Sequence, residues 1–118
     1  MGSIIEEKSF AFAVKIANAV RELKKSTQEY ELLSQLLRSG TSVGANVAEA
    51  KYGQSTRDYV SKFSIARKEA NEAKYWLRLL NATGIMPEGT YRTLIADANE
   101  LLRILVSIIK TTQERNNL

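Results

Sequence analysis

The sequence predicts an all-α protein, an up-and-down antiparallel four-helix bundle. Apolar residues recur at helical spacing in four segments, and the one proline, Pro87, lies between the third and the fourth. The β-branched residues are scattered rather than alternating with polar ones, so no segment has the pattern of a strand. With 118 residues, 44% of them hydrophobic, the chain is expected to fold as a single domain spanning 1–118.

The first helix, predicted at about 7–25, has more apolar surface than one bundle needs. A surface helix normally carries one apolar stripe, and this segment carries two. Phe10, Val14, Ala17 and Val20 form the first stripe, and Phe12, Ile16, Ala19 and Leu23 form the second. The surplus indicates contact with something beyond the helix's own bundle.

The second helix is predicted at about 27–50. Ser26 and Glu29 have the spacing of a capping box, in which a hydroxyl and a carboxylate satisfy free backbone N–H groups at a helix start. Gly40 and Gly44 oppose a continuous helix, since each costs about 1 kcal/mol relative to alanine, and the run 39–42 also fits a helix stop followed by a new N-cap. We favour one continuous helix, because Gly40, Gly44 and Ala48 recur every four residues and would let a neighbouring helix approach closely.

The third and fourth helices are predicted at about 55–83 and 87–113. Ser55 and Asp58 form a second capping-box pattern, and Thr83-Gly84 is a typical helix stop. Pro87 suits the first turn of the last helix. The inner stripe of the third helix comprises Tyr59, Phe63, Ala66, Ala70, Ala73, Leu77 and Leu80. The fourth helix repeats apolar residues in heptads, which is typical of bundle packing.

The composition excludes most catalytic sites. Cysteine and histidine are both absent, which removes thiolate and imidazole as nucleophiles, bases and metal ligands. A di-metal carboxylate site in a bundle normally needs Glu-x-x-His pairs; its only candidate ligands here are Glu49, Glu69, Glu72 and Glu100, and the alternative is that they are solvated. We expect a protein that is not an enzyme, with no metal and no cofactor. The chain has no apolar run near 20 residues and no signal-peptide pattern, so we expect a cytoplasmic protein.

Five cations of the third helix lie within about 120° of arc, on a face away from its inner stripe. They are Arg57, Arg67, Lys68, Lys74 and Arg78. Such a row can displace counterions from a nucleic acid, which makes it a candidate phosphate-binding face. The alternative is an ordinary solvated helix face, because the net charge is only +4.

Apolar residues outside the inner stripes predict self-association, because large exposed apolar patches are rare on monomers. The candidate interface residues are Ile65, Tyr75, Trp76, Leu79, Ile104 and Val106. Tyr75, Trp76 and Leu79 also fit two other roles, stacking on nucleobases or adding to the core. Assembly would multiply the basic faces available to one long polyanion.

The run from Gln35 to Ala50, QLLRSGTSVGANVAEA, resembles the four-helix-bundle proteins encoded within intervening sequences of bacterial 23S ribosomal RNA genes. The resemblance continues through SIARKEANE at 64–72 and YWLRLL at 75–80. It implies a ring-like homo-oligomer, a pentamer, and a long second helix. It also implies kinship with an accessory protein of diversity-generating retroelements that pairs with a reverse transcriptase and nucleic acid.

The resemblance carries over no catalytic residues. Asn46 and Glu49 match its motif and are expected to be buried polar links between helices, a structural role that we favour over a functional one. The leading functional hypothesis is an oligomer that binds RNA or DNA through the basic faces. The alternative is a structural adaptor for another protein, such as a reverse-transcriptase-like partner, with incidental positive charge.

Overall fold

The computed structural model describes residues 3–118, and all four predicted helices are present in it. They are α1 (Ile4–Leu23), α2 (Tyr30–Ala50), α3 (Thr56–Ala82) and α4 (Glu88–Arg115). Each helix packs against two others, in the order α1–α2, α2–α3, α3–α4 and α4–α1. The predicted all-α class is confirmed, and no strand occurs among the described residues.

One apolar core lies between the four helices. The side chains of Phe12, Leu36, Leu77 and Leu105, one from each helix, are at most 1% exposed. The predicted inner stripe of α3 is buried from Phe63 to Leu80. Of the two stripes predicted on α1, the one with Phe12 and Ile16 enters the core; in the other, Val20 is also buried, whereas Phe10 stays 71% exposed.

The predicted continuity of α2 through its glycines is confirmed, and so is their role in close helix packing. A Cβ atom at Gly40 would lie 2.9 Å from Cγ1 of Ile16, and one at Gly44 would lie 3.2 Å from the carbonyl oxygen of Ser9. Both distances are shorter than ordinary contacts, so the missing side chains allow α1 to approach α2. The tertiary contact outweighs the weak helix propensity of glycine.

The predicted capping box at the start of α2 is wrong. The Ser26 hydroxyl donates to the carbonyl oxygen of Leu23, 3.2 Å away, and so completes the end of α1. The hydroxyl of Thr27 instead accepts from the backbone N–H of Glu29, and α2 begins at Tyr30. The start of α1 is also earlier than predicted, because Ser3 caps it by accepting from the backbone N–H of Glu6.

The turns around α3 follow the sequence more closely. The Ser55 hydroxyl accepts from the backbone N–H of Asp58 at 3.1 Å, so the predicted N-cap is confirmed. Gly84 has φ +79°, the left-handed conformation that a glycine stop supplies. Pro87 precedes α4 as its N-cap residue and is not inside the first turn. No helix within residues 3–118 has the length and hydropathy that a membrane crossing requires.

Candidate nucleic-acid interface

The five predicted cations lie on the outer side of α3. Arg57, Arg67, Lys68 and Arg78 are exposed and Lys74 is half-buried. Within residues 3–118, none of the five has a carboxylate oxygen within 4.0 Å of its charged nitrogens. Their charges are therefore available to an external anion.

Helix α4 adds cations that the sequence analysis missed. Arg103, Lys110 and Arg115 are exposed and are also without an ion pair in the described part of the chain. Arg103 and Lys110 are seven residues apart, which places them within about 20° of each other on the helix. The sequence could have shown this, because residues seven apart lie on the same side of a helix, whether they are charged or apolar.

The carboxylates of α3 and α4 are neutralised mainly by cations from the other two helices. Lys15 of α1 pairs with Asp97 at 2.8 Å, and Lys8 pairs with Glu100 at 3.1 Å. On the other side of the bundle, Arg38 of α2 pairs with both Glu69 and Glu72. The ion pairs between helices thus engage four of the carboxylates of α3 and α4, and within residues 3–118 they leave most of the basic groups of these two helices unpaired.

Glu72 connects Arg38 to the aromatic pair on α3. The indole N–H of Trp76 donates to Oε2 of Glu72 at 3.0 Å, and the Tyr75 ring meets the Trp76 ring edge-on with centroids 5.0 Å apart. The indole hydrogen bond lowers the pKa of Glu72; partial desolvation opposes this, and Arg38 and then Lys68 reinforce it. The hydrogen bond to Glu72 in turn raises the pKa of Arg38. Both partners stay ionised at neutral pH.

The predicted interface residues do not share one face. Tyr75, Ile65 and Val106 are exposed, whereas Trp76, Leu79 and Ile104 are half-buried and the tryptophan packs against the core. Ile104 and Val106 are two residues apart, so they point about 160° away from each other around α4. The two residues therefore face different directions, and the assignment of these residues to an interface stays a prediction.

A continuous apolar surface lies instead between α1 and α2. Its groove has a volume of about 430 Å³ and is lined by Glu6, Phe10, Ala13, Thr41, Gly44, Ala45 and Ala48. The charged residues of α2, Glu31, Arg38 and Glu49, fall within about 20° of each other on the helix. Two of them pair with α3, and none of the α2 residues that line the groove is charged.

Asn46 and Glu49 differ from the expected buried links. The Asn46 amide donates to the carbonyl oxygen of Ser42 within the same helix, at 2.8 Å. The Glu49 carboxylate is exposed, although it does link two helices by accepting from Lys62 of α3 at 3.2 Å. The motif therefore contributes one surface bridge and one intrahelical bond.

The carboxylates considered for a di-metal site are paired with cations at three separate places. Glu69 and Glu72 share Arg38, Glu49 pairs with Lys62, and Glu100 lies on the other side of the bundle with Lys8. Within residues 3–118, no group of three or more acidic side chains could together hold a metal ion.

Comparisons with known proteins agree with this architecture. The family described as 23S rRNA-intervening sequence protein matches residues 3–107, which span α1 to α3 and most of α4. A crystal structure of a protein of unknown function, from the S23 ribosomal protein family of Bacteroides thetaiotaomicron, is 43% identical with a TM-score of 0.88. The match covers 91% of this chain and 99% of that chain. The comparison with curated proteins gives no match.

Proposed function

Because the chain belongs to the 23S rRNA-intervening sequence protein family, we propose that it is a cytoplasmic, non-enzymatic protein that binds nucleic acid, with RNA the expected ligand. It works as a homo-oligomer of antiparallel four-helix bundles. The observation that carries the proposal is the separation of charge described above, in which α3 and α4 keep cations that are unpaired within residues 3–118, while four of their carboxylates are neutralised from α1 and α2.

The charge separation matters more than the net charge. A total of +4 is modest, but a phosphate backbone responds to the local potential within about 10 Å, the screening length at 0.1 M salt. Arg67, Lys74 and Arg78 lie within about 40° of arc on α3 and span 11 residues. At about 1.5 Å per residue their Cα atoms cover roughly 16 Å, enough to contact several successive phosphates.

Binding of this kind depends on salt and little on sequence. Phosphate contacts position a protein on nucleic acid, whereas base contacts provide specificity. Each neutralised phosphate adds about 0.7 to the slope of log K against log salt for single strands and about 0.9 for duplex DNA. The protein is accordingly expected to bind many sequences and to release them as salt rises.

Contacts between neighbouring helices support the antiparallel arrangement. Along three of the four pairs of helices in contact, residue numbers that rise on one helix fall on its neighbour. The contacts are Ser9 with Gly44 and Ile16 with Gly40, Arg38 with Glu72 and Glu49 with Lys62, and Lys8 with Glu100 and Lys15 with Asp97. Short connections at 24–29, 51–55 and 83–87 also favour it.

Self-association is proposed at the groove between α1 and α2, with a second copy of the chain as the occupant. Phe10, 71% exposed, supplies a bulky apolar side chain, and Gly44, Ala45 and Ala48 supply a shallow surface that another helix can approach. Interface centres are poor in charged residues, and Glu6 of α1 is the only charged residue in the lining of this groove. The family resemblance implies a pentamer, in which each copy would contribute one basic face.

Reversing three charges tests the nucleic-acid face. The triple variant Arg67→Glu, Lys68→Glu and Lys74→Glu should weaken retention on RNA and flatten the salt dependence by about two units of slope. The matched control reverses Arg21, Lys24 and Lys25, which changes the net charge equally at the other side of the bundle. Equal binding by the two triple variants would reject the assigned face.

The adaptor function remains the second candidate, because the largely apolar groove would suit a helix of another protein. Nuclease treatment separates the two functions. If bound partners survive nuclease undiminished, while the purified protein ignores RNA at near-physiological salt, the adaptor function is correct and the nucleic-acid proposal is wrong.

A further inference from the structure

A cavity with aromatic walls lies beside the unpaired cations, where α3 meets the start of α4. Its volume is about 290 Å³, and it is lined by Tyr75, Arg78, Leu79 and Ala82 of α3 and by Tyr91 of α4. Tyr75 is 55% exposed and Tyr91 is half-buried. Two phenol rings on different helices, with aliphatic groups between them, present apolar surfaces to a flat ligand.

The Tyr75 ring packs against a neighbouring side chain that is itself held in place. It makes an edge-on contact with Trp76, at an interplanar angle of 79°, and the Trp76 indole is fixed by its hydrogen bond to Glu72. Glu72 is in turn held by Arg38 of α2. This chain of contacts fixes the aromatic pair before any ligand arrives, so little conformational entropy is lost on binding.

The charges around the cavity favour an anionic ligand. None of the five lining residues is acidic, and the guanidinium of Arg78 forms part of the wall. Lys74 is one turn before Arg78 on the same side of α3, and both are without an ion pair among residues 3–118. The groove between α1 and α2, by contrast, includes Glu6 and no cation.

We propose that this cavity binds an unpaired nucleobase of a single-stranded nucleic acid, with the base stacked on Tyr75 or Tyr91 and the adjoining phosphates contacted by Lys74 and Arg78. The assignment rests on the proposed function and narrows its ligand to single strands. Aromatic stacking next to a basic track is the usual means by which proteins hold single strands without strong sequence preference.

Two other occupants fit the surface less well. The bases of a duplex are already paired and stacked, so none can enter a cavity of this kind without first being unstacked. A second copy of the chain would have to bury the unpaired Arg78 guanidinium, which is costly unless the partner supplies a carboxylate. The groove between α1 and α2, where Glu6 is the only charged lining residue, is a better site for self-contact.

Binding of labelled oligonucleotides by fluorescence anisotropy tests the proposal. The probes are an unstructured single-stranded RNA, the DNA of the same sequence, and the DNA duplex. Tyr75→Ala should lower the affinity for both single strands by about five- to a hundredfold, the value of one stacked base, and should leave duplex affinity unchanged. Tyr75→Phe, which keeps the ring, should bind like the wild type. Tyr52→Ala removes a tyrosine that is 79% exposed outside the cavity and serves as the control.

A second readout uses the only tryptophan. Because Trp76 touches Tyr75, a base stacked on Tyr75 should change the Trp76 emission, and a duplex should not. Equal loss of single-strand and duplex affinity in Tyr75→Ala, together with a lower mass by light scattering, would assign Tyr75 to a contact between copies and overturn the proposal.

The binding measurements distinguish an error in the cavity assignment from an error in the proposed function. If the wild type binds single strands and the charge-reversed triple variant does not, while Tyr75→Ala binds normally, the cavity assignment alone is wrong. If the wild type binds neither single strands nor duplex at near-physiological salt, the proposed function is wrong, and the cavity assignment fails with it.

Discussion

The contact between Gly40 and Ile16 can be tested by adding a single methyl group to α2. In Gly40→Ala the new Cβ would lie 2.9 Å from Cγ1 and 3.0 Å from Cγ2 of Ile16, so α1 or the Ile16 side chain has to move. Overpacking of a core costs about 1–3 kcal/mol, and the better helix propensity of alanine returns about 1 kcal/mol. The free energy of unfolding should therefore fall by up to about 2 kcal/mol.

Removing the Ile16 side chain should relieve the overpacking that a methyl group at position 40 causes. Ile16 is fully buried, and Ile16→Ala alone should cost about 2–5 kcal/mol through lost burial and the cavity left behind. In the double variant, the methyl at position 40 meets only Cβ of the former Ile16, at 3.3 Å, and fills part of that cavity. The two changes should therefore be less destabilising together than their sum, by about 1–3 kcal/mol.

Urea unfolding followed by circular dichroism measures the four proteins of this cycle, at one protein concentration because the proposed assembly would contribute to stability. The control cycle pairs Gly40→Ala with Leu105→Ala, which removes a fully buried side chain from α4. Helix α4 does not pack against α2, so these effects should add within about 0.5 kcal/mol. Additive effects in the Ile16 cycle as well would refute the close approach of α1 to α2.

Three further predictions concern helix ends and the Glu72 network. Gly84→Ala should lower the free energy of unfolding by about 1–2 kcal/mol, because the φ angle of Gly84 is +79°. Gly89→Ala should raise the free energy of unfolding by up to about 1 kcal/mol, because a Cβ at position 89 meets no atom within 4 Å. Thermal denaturation measures both changes. Ser55→Ala should lose an N-cap worth about 0.5–2 kcal/mol, and Ser26→Ala, at a position that caps nothing in α2, should cost less in the same denaturant titration. The lowered pKa of Glu72 means that its ionised form is favoured by folding, so its contribution is present above the ordinary value of 4.5 and is lost as pH falls through the lower folded pKa. Unfolding titrations across acidic pH should therefore show a smaller decline for Glu72→Gln than for the wild type; an equal decline would contradict the role of this carboxylate.

The sequence predicted the parts of the fold that local spacing determines. The inner stripe of α3, the N-cap Ser55 and the stop at Gly84 all depend on residues within a few positions of one another. The start of α1 was also predictable, because Ser3 and Glu6 have capping-box spacing. The same spacing at Ser26 and Glu29 was misleading, since the hydroxyl satisfies a carbonyl at the end of α1 instead.

The candidate site depends on contacts between helices, which spacing does not reveal. Both stripes of α1 had apolar residues at helical intervals, and the choice between Phe10 and Phe12 for the core depends on how α1 is rotated against α2. Lys15 and Lys8 neutralise Asp97 and Glu100 only because α1 lies beside α4, and residue spacing does not reveal which helices are neighbours. The five cations of the basic face of α3 were visible in the sequence, but not the fact that they have no acidic partner within residues 3–118.

The two bridges between the first and last helices also have a mechanical consequence. Among the four helix contacts, the one between α1 and α4 is the least extensive, and cavities of about 110 and 570 Å³ lie along it. Because Lys8 and Lys15 are about half exposed, added salt should weaken their ion pairs with α4. The contact between α1 and α4 is therefore where the bundle should first open locally. Amide protons in the terminal turns of α1 should exchange with solvent sooner than those of α2 or α3.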